Sequence, residues 1–290
     1  MLGRVTSGRM PDSAAILRGR ERAENFPVAL RALPGPVRQD LHAVYAFART
    51  VDDLGDRASG DRTAQLHALR ADLSLVWRTG APQLAVHRQL VPVVRRHALQ
   101  EVHFRQLVEA NLLDQQVTRY ETLSELLGYC ALSANPVGRI VLGIFDSATP
   151  RREALSDKVC SALQVLEHCQ DVREDALQGR IYLPQQDLRA EGVDPAELGG
   201  TCAGPGLRGV VLAQVEHASS LLDDGAPLVG ELRGWARLAV AAYVAGGRAT
   251  VDSLRRTGGD VLAVSATPRR SDLARHLIGE LARRRRGGVR

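Results

Sequence analysis

The chain has 290 residues, 44% of them hydrophobic, and a formal net charge of +5. That is enough chain for one large core, and the modest charge, much of it in the terminal "RRRRGGVR", argues against a nucleic-acid partner. Cys130, Cys160, Cys169 and Cys202 show neither CxxC spacing nor a paired framework, so they read as reduced thiols of a cytoplasmic protein and not as a disulfide scaffold.

Leucine, alanine and arginine dominate, β-branched runs are short, and no hairpin signal separates alternating strands, which predicts an all-α protein. The first residues lack an apolar signal core. Residues 1–20 are expected to form a mobile extension, residues 21–284 a single helical domain, and residues 285–290 a basic tail. Helical periodicity predicts helices over 35–57, 63–78, 82–97, 102–118, 123–145, 156–177, 206–224, 230–257 and 269–284, punctuated by proline and glycine. The stretch 179–206 is the least regular and reads as a lid or site element. No apolar run approaches the ~20 residues of a membrane span, so any membrane contact is expected to be peripheral, at the inner face. The arginine-rich tail suits such an anionic surface.

The first predicted helix contains "YAFARTVDDLGD", residues 45–56. Leu41, Val44, Tyr45, Ala48 and Gly55 share one stripe, with Asp52 at its edge, Asp56 one turn on and Asp53 further round. Aspartates four residues apart repel by a few tenths of a kcal/mol, and holding a charge near the core side costs several kcal/mol unless it is paired. Arg49 can pair with one carboxylate, not with three. A divalent cation resolves the conflict, and hard carboxylate oxygens suit Mg²⁺, which shares its remaining positions with water and phosphate. A solvated acidic helix end is the bland alternative.

More than a hundred residues later, "LQVLEHCQDVREDALQGRIYLP" places Gln164, Glu167, Asp171 and Asp175 on one narrow face. Two acidic helices facing each other across a bundle make a cage for magnesium and a diphosphate. His42 and His168 flank these helices and read as surface or packing histidines, since magnesium prefers oxygen. In "YCALSANPVG", Pro136 inside a helix is expected to cost about 3 kcal/mol and to free a carbonyl near residue 132. Together with the Asn135 amide this would place a polar spot or a water in an oily cavity; a packed structural kink is the other reading. Tyr129 and Tyr182 read equally as core tyrosines.

Taken together, "YAFARTVDDLGD", "YCALSANPVGRIVLGIF", "LQVLEHCQDVRED" and "GRIYLP" resemble the squalene/phytoene synthase family in order and spacing, over about 24–281. The resemblance implies an all-α isoprenoid-synthase bundle around a central cavity. It implies Mg²⁺ held by Asp52, Asp53 and Asp56 on one side and by Asp171 and Asp175, with Glu167, on the other. Glu167 stands where the family more often has Asn. Tyr45, Arg49, Tyr129, Gln164, Arg180 and Tyr182 match positions that line the pocket or hold the diphosphate of a prenyl substrate. "AENFPVA", with Asn25 and Phe26, and "SANPVG", with Asn135, resemble the hydroxysqualene-forming branch, which ionises presqualene diphosphate, rearranges the cation and quenches it with water. A condensing synthase that joins two prenyl diphosphates is the alternative activity, and a catalytically silent helical assembly protein the non-enzyme one.

Overall fold

The computed structural model describes residues 33–282. Asn25, Phe26, the N-terminal extension and the basic tail lie outside the described residues. Within them the chain is all-α, and one isolated bridge between Arg119 and Ile181 is the extended pairing present.

Helix α1 (Gly35–Asp56) has Pro36 in its first turn, where the missing N–H costs nothing. Its buried stripe is Leu41, Val44, Phe47, Val51 and Gly55. Tyr45 and Ala48, expected in that stripe, are only half-buried because Phe47 and Val51 take the inward positions. Helix α2 (Arg62–Arg78) starts at Asp61, whose carboxylate accepts from the Ala64 N–H at 2.9 Å. Asp72 on α2 reaches the start of α3 (Ala85–His97), accepting from the Gln83 and Leu84 amides at 2.6 and 3.0 Å and from His87 Nδ1 at 2.7 Å. Helix α4 (Glu101–Leu113) ends five residues short of its expected end at Thr118.

The single helix expected over 123–145 is two: α5 (Leu123–Ser133) and α6 (Asn135–Ile144), with Ala134 between them. Pro136 therefore sits in the first turn of α6 and not inside a helix, so the expected backbone cost is absent. The Ala134 amide still reaches the Cys130 carbonyl at 2.9 Å. Residues Leu123–Ile144 together are long and apolar enough to cross a membrane by length and composition, against the expectation that no such stretch exists. Small residues, Glu125 and Arg139 interrupt it, so it is not one unbroken apolar run. Half of its most apolar window is buried inside the protein, and Arg139 pairs with Asp157 at 2.6 Å.

Helix α7 (Pro150–Gln170) begins six residues earlier than expected, because Thr149 caps it by accepting from the Arg152 N–H. It stops at Asp171, and α8 (Val172–Leu177) continues after this one-residue break. Short α9 (Gln185–Ala190) and a 3₁₀ turn (Pro195–Gly199) occupy the irregular stretch. Helices α10 (Pro205–Gly225), α11 (Pro227–Glu231), α12 (Gly234–Arg256) and α13 (Arg270–Ala282) complete the described chain.

Helices α1–α4 gather one core around Phe47, Leu66, Leu73, Leu90 and Phe104. Helices α5, α7, α10, α11 and α12 gather a second around Cys130, Leu166, Val211, Leu222 and Val244. Helix α6 serves both, giving Ile140 and Val141 to the first and Leu142 to the second. Each fully buried Leu or Phe contributes roughly 1.5–3 kcal/mol. Gly138 on α6 lets that helix come close to α7: a Cβ there would lie 2.3 Å from Ser156 Oγ and 2.5 Å from Cys160 Sγ.

Candidate active site

A cavity of about 730 Å³ takes lining residues from both cores. Its composition changes along α7. After Ser156, the lining residues are Val159, Cys160 and Leu163, then Gln164, Glu167 and His168, with Asp171 just past the helix end. At 1.5 Å per residue, this apolar-to-acidic gradient runs over about 18 Å. Val137, Val141, Leu228, Val240 and Tyr243 add to the apolar part, and Asp52, Asp56, Asp175 and Arg180 to the polar part.

Asp52 is solvent-exposed through the cavity mouth, while protein atoms crowd its carboxylate from the other sides. Burial lifts its pKa to about 6, with repulsion from Asp56 and Asp53 adding to the rise; the Asn111 hydrogen bond and Arg49 oppose it. Asp171 is likewise lifted to about 6, by burial first and then by Asp175 and Glu174. Both acidic helices thus turn under-compensated carboxylates toward one cavity. Asp53 does not line it; its carboxylate turns to Arg49 at 3.1 Å and Arg57 at 3.7 Å. That corrects its expected place among the metal ligands, because Asp53 sits about 100° round the helix from Asp52.

Arg180, from "GRIYLP", joins the second acidic segment to the first. Its Nη1 donates to Asp56 Oδ1 at 2.6 Å. Burial opposes its charge, but Asp56, Tyr182 and Asp114 outweigh that and hold its pKa above the ordinary value. Tyr129 and Tyr182 both reach the buried Asp114, their hydroxyls donating at 2.7 and 3.3 Å. Burial raises the pKa of Asp114 in spite of these bonds. His168 stacks on Tyr182, with ring centroids 3.8 Å apart, and its Nδ1 lies 3.8 Å from Asp175 Oδ2. It is a packing histidine that also faces the cavity. His42 does not line the cavity.

Gln164 donates to Glu167 Oε2 at 3.2 Å, and both line the cavity with Asp171 and Asp175 although the helix breaks at Asp171. Tyr45 is half-buried and does not line it. Asn135 does not line it either. Its Oδ1 accepts from Ser161 Oγ at 2.9 Å, tying α6 to α7, so it is not placed to hold a water in the cavity. The turn that begins α6 aims the amide at α7 instead.

Asn111, Asp114, Arg57 and Arg62 line the cavity and were not singled out from the sequence. Asn111 Nδ2 donates to Asp52 Oδ1 at 3.2 Å. Gln115 Nε2 and Arg62 Nη1 donate to the Gly55 carbonyl at 3.1 and 3.3 Å, fixing the end of α1. The signal was available in "EANLLDQQ", where Asn111 and Asp114 interrupt an apolar helix three residues apart.

The oxygen-rich set Asp52, Asp56, Glu167, Asp171 and Asp175 has the donor chemistry of a hard divalent cation, and the raised Asp52 and Asp171 show negative charge that a cation would offset. Among the described residues, no three carboxylate, imidazole or thiol groups converge into a preassembled cation site. The fit is therefore to a cation that completes its shell with water and phosphate oxygens.

Residues 20–275 match the squalene/phytoene synthase family. The chain belongs to that family. Among its relatives is the hydroxysqualene synthase of Rhodopseudomonas palustris, 34% identical over 73% of this chain and 72% of that protein. The phytoene synthase of Thermus thermophilus is 32% identical over 87% of this chain and 86% of its own. The crystal structure of squalene synthase HpnC from Alicyclobacillus acidocaldarius aligns with a TM-score of 0.76 at 36% identity, covering 84% of this chain and 93% of that one. The chain is accordingly an enzyme of isoprenoid biosynthesis with the squalene-synthase-like isoprenoid fold. Enzymes of this family use a divalent metal in diphosphate ionisation.

Proposed function

We propose that this enzyme ionises presqualene diphosphate with Mg²⁺ and converts the cation to hydroxysqualene by adding water. The observation that carries the reading is the graded cavity, acidic and arginine-lined at one end of its α7 wall and aliphatic at the other. That is the shape required to bind an anionic head and shelter a carbocation. The resemblance to hydroxysqualene synthases supports the branch. In the balanced reaction, the C–O bond to diphosphate breaks, the cyclopropylcarbinyl cation opens, water adds and a proton is lost.

Asp52, Asp56, Asp171 and Asp175, with Glu167, are the residues that would hold Mg²⁺, whose charge when bound offsets that of the leaving diphosphate. Arg49, Arg57 and Arg62 supply further positive charge to the same end of the cavity. Arg180 fixes Asp56. Val137, Val141, Val159, Leu163 and Leu228 make most of the remaining wall apolar, and burial keeps the Cys160 thiol among them protonated, its pKa pushed up to about 11. Tyr129 and Tyr243 add aromatic rings to the cavity wall, while the Tyr182 ring is stacked between His168 and Tyr120. Among the described residues the cavity hydroxyls belong to Tyr129, Tyr182, Tyr243, Ser133 and Ser156; with Tyr129 and Tyr182 donating to Asp114, Ser133, Ser156 and Tyr243 replace Asn135 as candidates to orient the water.

The condensing reaction is the second reading, favoured by the longer reach of the phytoene synthase match. One experiment separates the two: presqualene diphosphate and, in a parallel arm, farnesyl diphosphate, each with Mg²⁺ and without NADPH in ¹⁸O-labelled water. Hydroxysqualene carrying the label is the expected product. Unlabelled alcohol would remove solvent as the nucleophile. Coupling of two farnesyl diphosphates with presqualene diphosphate left unconsumed would select the condensing reaction.

A further inference from the structure

Helix α13 has two unlike faces. It packs along α12, and Leu277 joins the core on that side. Both of its acidic side chains pair with α12: Asp272 meets Arg256 at 2.7 Å, and the buried Glu280 meets Arg248 at 2.9 Å. The other face keeps Ala274, Ile278, Leu281 and Ala282 exposed, at the spacing i, i+4, i+7, i+8 of a single stripe. Ile278 is 69% exposed, far beyond what a packing residue needs. Exposed Arg269 and Arg270 stand at the start of the helix, and the sequence continues past its end as Arg283–Arg286. The Arg237 guanidinium donates to the Leu281 carbonyl at 2.8 Å, so the start of α12, with half-exposed Trp235, lies beside the end of α13.

We propose that α13 docks the enzyme on an anionic bilayer, lying in the plane of the interface with Ile278 and Leu281 at the acyl boundary. Acids turned inward, arginines at both ends and an apolar stripe between them are what such a surface selects. A nucleic acid would meet the arginines but gain nothing from Ile278, and a second copy of the helix would meet the stripe but be repelled by like charge. Tryptophan at the same end suits the polar–apolar boundary. The inference concerns where the enzyme sits and is read by binding alone, so its failure leaves the proposed reaction untouched.

The test is flotation of the full chain with vesicles of phosphatidylcholine alone and of phosphatidylcholine mixed with phosphatidylglycerol, with tryptophan emission as a second readout. Binding is expected only with phosphatidylglycerol present, weakening as salt is raised, with a blue shift. Substituting Ile278→Ser and Leu281→Ser together should lower partitioning at least about 10-fold, with thermal melting unchanged because both side chains are exposed. Replacing Arg283–Arg286 with glutamine should lower it by about 100-fold or more at low salt. Equal binding to both vesicles, or undiminished binding by both variants, would overturn the proposal. So would a dimer in the parent that Ile278→Ser and Leu281→Ser convert to monomer, or duplex DNA bound more tightly than vesicles.

Discussion

Asp52 takes its hydrogen bond from Asn111, and the two meet only because residue 55 has no side chain. A Cβ on Gly55 would lie 2.1 Å from Asn111 Oδ1. Gly55→Ala is expected to push Asn111 aside, costing about 1–3 kcal/mol in urea melts and lowering kcat further than that loss explains. Adding Asn111→Ala should recover stability without activity; recovery of both would show that Asn111 does not position Asp52. Asp52→Asn and Asp171→Asn are each expected to cut diphosphate release by at least about 100-fold with unchanged circular dichroism. Without metal, their Tm should match the parent or rise slightly, because burial and mutual repulsion oppose both charges. Near-normal turnover by either variant would remove that carboxylate from the cation site.

Between elements, short polar devices decide where helices stop. Pro136 begins α6 and breaks no ladder, so Pro136→Ala should change stability by less than about 1 kcal/mol, where a mid-helix proline would yield a gain near 3. A large rise in Tm would show that the bend stores strain. Asp72 ties α2 to the start of α3. Burial works against its charge, but the Gln83 and Leu84 amides and His87 outweigh it and hold its pKa below the ordinary carboxylate value. The folded pKa lies below the unfolded one, so the stabilisation is complete above the unfolded value and is lost as pH falls through the folded one. Asp72→Ala should cost about 1–2 kcal/mol at pH 7, and its gap from the parent should close below about pH 4. A gap independent of pH would assign the loss to packing.

Over the whole molecule, the two cores meet around the cavity, and Arg180 crosses from the loop after α8 to Asp56 at the end of α1. Its side chain is only 12% exposed, while Asp56 is 35% exposed, so the pair is partly screened. Arg180→Ala is expected to cost about 1–3 kcal/mol in denaturant melts and to raise KM for the diphosphate substrate. Arg180→Lys should restore part of the stability but little of the affinity, because the ammonium lacks the planar fork. An Arg180→Ala enzyme with parental stability and kinetics would show that the link is ornamental.

What the sequence determined by itself was the helical class, the two acidic segments and the family they announce. These rest on local periodicity and on residue types whose charges conflict with their neighbours, and both signals are readable within one or two helical turns. Asp52, Asp56, Glu167, Asp171, Asp175, Gln164, Arg180, Tyr129 and Tyr182 all line the one cavity. The turn of Asp53 to Arg49 and Arg57 is set by spacing within its own helix, whereas tertiary structure alone decided that Asn135 accepts from Ser161 and that Asn111 and Asp114 complete the polar end. Periodicity assigns a residue to a face of its own helix. Which partner waits at that face depends on how α1, α4, α6 and α7 cross, so polar residues such as Asn111 and Asp114 show in the sequence as breaks in an apolar helix while their partners tens of residues away do not.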